Sequence, residues 1–374
     1  MRRLLLLASA VVFVDTVFYA AITPLLPTYV DDLGISKSAA GVLSAAYPAG
    51  TFVGALPGGW LAARAGVRPT TLAGLALMGA TSVVFAFGES IYVLDAARFV
   101  QGVAGAMTWA GALGWLIGEA PSERRGELIG SAMGVAIVGS LFGPVLGALA
   151  AELGPEAVFS SVGVIAVGLM VWALNTPARL PSPPPRMAQL VETVRDRSVQ
   201  LGIWLMIIPG LMFGTINVLG ALRLDALGAA TAAIAGCYLV AAALEAVVAP
   251  LAGRASDRRG RRAPLIAGLT AAAVAMALLP WPESAWLLAV LIVLAAPAIG
   301  IVWSPAMATV SDGAERHGIE QAIAFAFVNV AWAVGQTAGA AGSARLADAT
   351  SDRVPFLLLA GIGAATALAL RRGR

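Results

Sequence analysis

The sequence predicts an all-α membrane protein: twelve transmembrane helices in two pseudo-symmetric six-helix bundles. Three observations carry this expectation. The chain is 59% hydrophobic and 12% charged, against roughly 25% charged residues in an average soluble domain. Apolar runs of about 20 residues, enough to cross a hydrocarbon core about 30 Å thick, recur from one end to the other. A loop rich in glycine and arginine appears twice, once in each half.

The spans fall near residues 4–30, 39–63, 69–88, 91–118, 124–151, 157–177, 199–222, 227–252, 263–281, 284–311, 318–344 and 353–370. The opening Met1-Arg-Arg-Leu-Leu-Leu-Leu7 has the look of a signal peptide. Its apolar run continues to Val30 with no small-residue cleavage site, which predicts a retained first helix. Pro24 and Pro27 weaken the backbone ladder at the far end of that helix. The loops are short and leave no room for a soluble domain. Of the 24 basic residues, only Lys37, Arg223, Arg345 and Arg353 fall on one side and Arg98 within a span. All others fall on the opposite side, which places both termini in the cytoplasm. Residues 179–198 are proline-rich and then amphipathic, an extended spacer followed by a surface helix. They divide the chain into bundles 1–178 and 199–374.

The halves repeat. Leu56-Pro-Gly-Gly59-Trp-Leu-Ala-Ala63-Arg64-Ala-Gly66-Val-Arg68 follows the second span, and Pro250-Leu-Ala-Gly253-Arg-Ala-Ser-Asp257-Arg258-Arg-Gly260-Arg261-Arg262 follows the eighth. Gly59, Gly66 and Arg68 match Gly253, Gly260 and Arg262 in register. Each glycine permits a tight reversal or close contact, and the arginines anchor a cytoplasmic loop. Repeated halves around a midplane site are the usual architecture of alternating access.

Charge inside the spans marks the candidate site. Asp15 lies roughly 16 Å along span one at about 1.5 Å per residue, near mid-membrane. An ionised carboxylate there costs about 3 kcal/mol or more unless it faces protein, water or a counter-charge. Phe18 and Tyr19 share its side of the helix. Glu245, in the stretch that also holds Tyr238, is a second intramembrane acid, roughly 12 Å before Gly253. Arg98 has two open partners, Asp95 one turn away or a group on another helix. In span eleven Gln321, Phe325, Asn329, Trp332 and Gln336 fall on one helical face. That polar and aromatic stripe suits a cavity wall where rings hold a cation, or a helix–helix contact. Trp109, Asn217 beside Met212, and Trp303 beside Pro305 are weaker cavity candidates. Trp60, Trp115, Trp172, Trp281 and Trp286 fall near span ends, as in an interfacial belt.

These residues resemble the major facilitator superfamily over essentially the whole chain. The loop from Gly253 through Asp257, Arg258, Gly260, Arg261 and Arg262 matches the family pattern, and the resemblance implies a cytoplasmic gate. The first copy, with Gly59, Arg64 and Arg68, has Ala63 where the family has Asp, so its latch is weaker or differently built. Leu94-x-x-x-Arg98-x-x-Gln101-Gly102 in span four is similar to a motif associated with proton coupling. Gly139, Gly143-Pro144 and Gly147 in span five reproduce the spacing of the antiporter motif, with Ala148 for its final glycine. Within the family, Asp15, Pro24 and Pro27 look like the drug:proton antiporters and the related vesicular amine transporters. Span eleven from Phe327 to Gly339 resembles the vesicular stretch. Those transporters carry an acid where this chain has Asn329 and a lysine where it has Tyr47.

The resemblance implies a proton-coupled antiporter that exports organic cations, amines or drug-like compounds, with Asp15 and Arg98 in the coupling, to which the intramembrane charge of Glu245 adds a second acid. Its partners are then a small cationic or amphipathic molecule, protons and membrane lipids, in the bacterial plasma membrane, as a monomer without a cofactor. The alternatives are an exporter of a neutral metabolite or lipid-like compound, and a nutrient symporter. Enzyme and pump chemistry lack their motifs. No phosphate-binding Gly-x-x-x-x-Gly-Lys-Ser/Thr or Gly-x-Ser-x-Gly occurs, and one histidine, His317, cannot supply a zinc-protease pair. One cysteine, Cys237, excludes a disulfide framework or cysteine metal site within the chain. The sequence pI near 9.4 reflects loop arginines that set orientation, and nucleic acid is not an expected partner.

Overall fold

The computed structural model describes residues 2–119, 125–178, 187–318 and 321–372. Helices account for nearly all of them, and no strand occurs among the described residues. In chain order they are α1 (Arg2–Ala20), α2 (Leu26–Leu33), α3 (Lys37–Ala65), α4 (Val67–Ala86), α5 (Ile91–Glu119), α6 (Arg125–Leu153), α7 (Pro155–Leu174), α8 (Met187–Arg195) and α9 (Arg197–Thr215). There follow α10 (Ala221–Ala226), α11 (Thr231–Arg259), α12 (Arg262–Leu278), α13 (Ala285–Gly300), α14 (Trp303–Arg316), α15 (Gln321–Thr337), α16 (Ser343–Ala349) and α17 (Arg353–Arg372). Among the described residues, nine helical runs are long and apolar enough to cross a membrane, and α12 is a shorter apolar helix.

Several expected spans are not single straight helices. Span one breaks after Ala20 and resumes through a 3₁₀ turn at Thr23–Leu25 into α2. Pro24 and Pro27 have no N–H to give the preceding carbonyls, which accounts for the break. Span seven carries a π-turn at Ile216–Gly220 between α9 and α10, and span eleven one at Ala338–Gly342 between α15 and α16. Span ten is interrupted between α13 and α14. Such irregularities have no hydrophobic period of their own, and they frequently mark functional positions in membrane helices.

The chain forms two compact units, Met1–Ile22 with Ala46–Arg186, and Thr23–Ala45 with Met187–Arg374. In the first, α4 packs on α5 and α7, and α1 on α6 and α5. In the second, α12 packs on α13 and α17, and α9 on α15 and α14. Counted by span, the pairs three–four, three–six and one–five recur as nine–ten, nine–twelve and seven–eleven. The repeated loops share a backbone shape as well: Gly66 and Gly260 turn at φ +100° and +83°, where a side chain is strained.

Lipid provides no hydrophobic drive between helices, so close van der Waals packing sets these contacts. A Cβ at Gly139 would overlap the Thr16 hydroxyl, and one at Gly143 would overlap Ala20. Span five therefore lies flush on α1. On α3, Gly50 faces the Phe99 carbonyl of α5 with no room for a side chain. Within the second unit, the start of α3 is held by Lys37 Nζ to Asp352 Oδ1 at 2.7 Å and by the Ser38 N–H donating to Asp348 Oδ2 at 2.8 Å. Gly41 then meets Ala340 and Ala344 directly.

Candidate functional site

In the first unit the site is built around Asp15, which is 3% exposed on α1. The Tyr47 hydroxyl of α3 donates to its Oδ1 at 2.7 Å, and the Trp109 Nε1–H of α5 donates to Oδ2 at 2.7 Å. Each carboxylate oxygen thus takes a charge-assisted bond from an aromatic side chain, short for its kind. The Tyr19 ring lies 5.1 Å from that of Tyr47. Three helices can converge here because Gly102 and Gly105 leave space: a Cβ at Gly102 would overlap the Tyr47 carbonyl. One at Gly105 would overlap the Tyr47 hydroxyl and come within 2.8 Å of Asp15 Oδ1.

Arg98 completes this cluster and is 1% exposed. It does not bond Asp95, whose Oδ1 is buried without a hydrogen-bond partner among the described residues. Its guanidinium reaches α1, donating to the Phe18 carbonyl at 3.3 Å and the Tyr19 carbonyl at 3.0 Å. Those carbonyls lie in the last turn of α1, where a helix leaves acceptors unpaired, so Arg98 caps the break. The same cation stacks 5.0 Å from the Tyr47 ring and 5.7 Å from that of Phe18. Gln101 is fully buried, taking a bond from Arg98 at 3.4 Å and donating to the Thr81 carbonyl at 3.2 Å. Phe18 packs edge-on to Phe85 and Phe159 with centroids at 6.4 and 5.4 Å. Both residues sit in closed packing behind Asp15.

In the second unit, Tyr238 of α11 donates its hydroxyl to the Ile216 carbonyl at 2.6 Å and so pins the π-turn of span seven. Asn217 is half-buried on that turn. Glu245, two turns along α11 from Tyr238, is half-buried against Gly300. Trp303, at the start of α14, is half-buried with its Nε1 enclosed and without a hydrogen-bond partner among the described residues. On α15, Asn329 and Trp332 are half-buried. Gln336 is buried where α15 meets α9: a Cβ at Gly214 would stand 2.6 Å from its carbonyl. That end of the stripe is helix packing. The side chains of Gln321, Phe325 and Asp257 lie outside the described residues.

Comparison with known proteins agrees with this architecture. The sequence model of the Major Facilitator Superfamily matches residues 8–319 and again 221–374. The chain belongs to that superfamily. A fungal relative, the MFS-type transporter ppzB of Metarhizium rileyi, is 32% identical over 170 residues, 43% of this chain and 35% of that protein. The quinolone resistance protein NorA of Staphylococcus aureus strain MRSA252 is 27% identical over 161 residues, 42% of each chain. These alignments thus span less than half of the relatives' length. A D-xylose–proton symporter superposes with a TM-score of 0.74 at 18% identity, covering 99% of this chain and 96% of its own. A POT family transporter does so at 0.74 and 14%, covering 98% and 95%. At such identities these two structures speak for the fold alone.

The superfamily's loop residues occupy the ends of the same helices. Gly59 is exposed with open space about it, and Arg64 stacks 4.5 Å from the Trp60 ring. Arg68 donates to the Thr176 carbonyl at 3.5 Å. Gly253 faces Ser304, Gly260 makes the turn, Arg258 is exposed, and Arg261 pairs with Asp312 of α14 at 2.7 Å. Pro144 and Gly147 are buried in α6 with Gly139 and Gly143. Superfamily and fold are those of transporters, and the chain is a multi-pass membrane protein. Sequence reasoning missed Gly105 and Gly300. The four-residue spacing of Gly50, Gly54 and Gly58 was a visible signal for the α3 contact. Nothing in the sequence tied Gly105 to Asp15.

Proposed function

We propose that this transporter is a proton-coupled antiporter that exports organic cations, amines or drug-like compounds by alternating access. The observation that carries the reading is Asp15: a buried carboxylate in the first span, boxed by Tyr19, Tyr47 and Trp109. A carboxylate among aromatic rings suits a lipophilic cation, because charge and quadrupole act together. Similarity to a quinolone resistance protein supports efflux as the direction. In the proposed cycle, Asp15 and Glu245 take protons from outside, and cytoplasmic substrate displaces them. Arg98 holds the break in span one next to Asp15. The two halves, 1–178 and 199–374 joined by 179–198, alternate between inward-facing and outward-facing states. Trp109 lines the path in the first unit, and Asn329 and Trp332 line it in the second. The protein acts as a monomer in a bacterial plasma membrane with both termini inside.

The test uses everted membrane vesicles with an imposed pH gradient, acid inside. Wild-type vesicles accumulate ethidium when the gradient is formed and release it when a protonophore collapses it. Accumulation insensitive to the gradient, or none beyond that of vesicles lacking the protein, contradicts the reading.

A further inference from the structure

In the second unit, the junction between α13 and α14 and the α11 carboxylate beside it carry polar groups left unsatisfied among the described residues. Glu245 makes no hydrogen bond or ion pair among the described residues, in contrast to Asp15, both of whose oxygens are taken. Its side chain lies against Gly300, where a Cβ would stand 2.8 Å from Glu245 Cγ and 3.0 Å from Oε1. Gly300 ends α13, and α14 begins one turn later at Trp303. Pro305 has no N–H for the Ile301 carbonyl four residues back, so that acceptor loses its helical donor. The Trp303 indole N–H is enclosed and without an acceptor among the described residues. One helix break therefore carries a carboxylate, a released carbonyl and an unused donor. Interrupted helices near mid-membrane are where transporters place binding groups.

We infer that Glu245, the Ile301 carbonyl and Trp303 form the subsite for the substrate's protonated amine, selecting amines that keep an N–H and carry a nearby oxygen acceptor. The inference rests on the organic-cation reading above and names the groups of the second unit that read the cation's N–H. The ammonium N–H gives a bond to the carboxylate, a second N–H, where the amine has one, gives one to the Ile301 carbonyl, and the indole N–H gives one to the substrate's oxygen. A quaternary cation has charge but no N–H, so it gains attraction without those bonds. Gly300 is part of the design, because any side chain there pushes Glu245 aside. The flexible carboxylate arm gives way more readily than the helix.

Equilibrium dialysis of the purified protein, with quinine and its N-methyl quaternary salt, tests this. Quinine is a tertiary amine beside a hydroxyl, and methylation removes only the N–H. Glu245→Gln is expected to weaken quinine binding about tenfold or more and to narrow its advantage over the quaternary salt to about twofold. Gly300→Ala, which keeps every charge, shifts quinine in the same direction by a smaller factor. Trp303→Phe weakens quinine and its quaternary salt by similar factors, because both keep the hydroxyl that the indole N–H bonds. Equal loss of both ligands in Glu245→Gln, or no loss of either, overturns the subsite while the exporter reading stands. Wild-type protein that binds neither compound overturns the organic-cation reading and the subsite with it.

Discussion

An aspartate in the middle of an apolar helix stands only when something nearby answers its charge, and here Tyr47 and Trp109 do so. Removing one donor exposes what that bond contributes, about 1.5–3 kcal/mol for a hydrogen bond to a charged group. Tyr47→Phe keeps the ring and deletes the hydroxyl. Gly105→Ala keeps the hydroxyl and drives a methyl into it. Both are expected to lower gradient-driven ethidium accumulation in everted vesicles by at least about tenfold. Rates within a factor of about two of wild type would separate the bond from transport. Asp15 was legible because a charge in an apolar run has few explanations. Its partners were only half so: the family resemblance aligned Tyr47 with a lysine position, and Trp109 was one tryptophan of several. Arg98 was visible as a buried cation. Its role as a cap on α1 was not, because that depends on where α1 stops.

Among the elements, the contact between α1 and α6 depends on glycines. Gly143→Val puts two methyls where Ala20 and the Val17 carbonyl already lie, the latter 2.9 Å from the Cβ position. Overpacking of this kind costs about 1–3 kcal/mol, so a lower unfolding temperature in detergent is expected, with Ala148→Gly near wild type. An unchanged melting point would mean that α1 and α6 are not in close contact. The glycine spacing of span five was readable beforehand, whereas the π-turns of spans seven and eleven were not, having no period that differs from the helix around them.

The cap of α9 gives a test of a different kind. Asp196 accepts from the Ser198 hydroxyl at 2.6 Å and the Ser198 N–H at 2.7 Å, and faces His317 at 3.1 Å and Arg316 at 3.5 Å. The Ser198 bonds first, then His317 and Arg316, hold its carboxyl well below the usual carboxylate range. A depressed folded-state pKa gives stability that is complete above the unfolded value and lost as pH falls toward the folded one. The melting-point gap between wild type and Asp196→Asn should therefore be flat from about pH 5 to 8 and shrink below about pH 4. A gap that closes between about pH 6 and 7 instead would contradict the role given to the Asp196 carboxylate.

For the whole molecule, the duplication was the most legible feature. The spacing of Gly59 and Gly66 recurs at Gly253 and Gly260, and the second glycine of each pair takes the same unusual backbone angle. The partition of the chain was less so, because the compact unit holding α9 to α17 also takes in Thr23–Ala45. The groups that hold that segment, Asp348 and Asp352, lie far along the chain, and no local pattern announces such a pairing. The central claim is that substrate and proton compete for a carboxylate in this fold. The most direct measurement is proton release from the purified, weakly buffered protein on addition of a panel of lipophilic cations, wild type against Asp15→Asn. Wild type is expected to release protons and the variant clearly fewer, because only Glu245 remains to be displaced; the variant should fold as before. Equal release from both, or none from wild type with any cation, would contradict the claim.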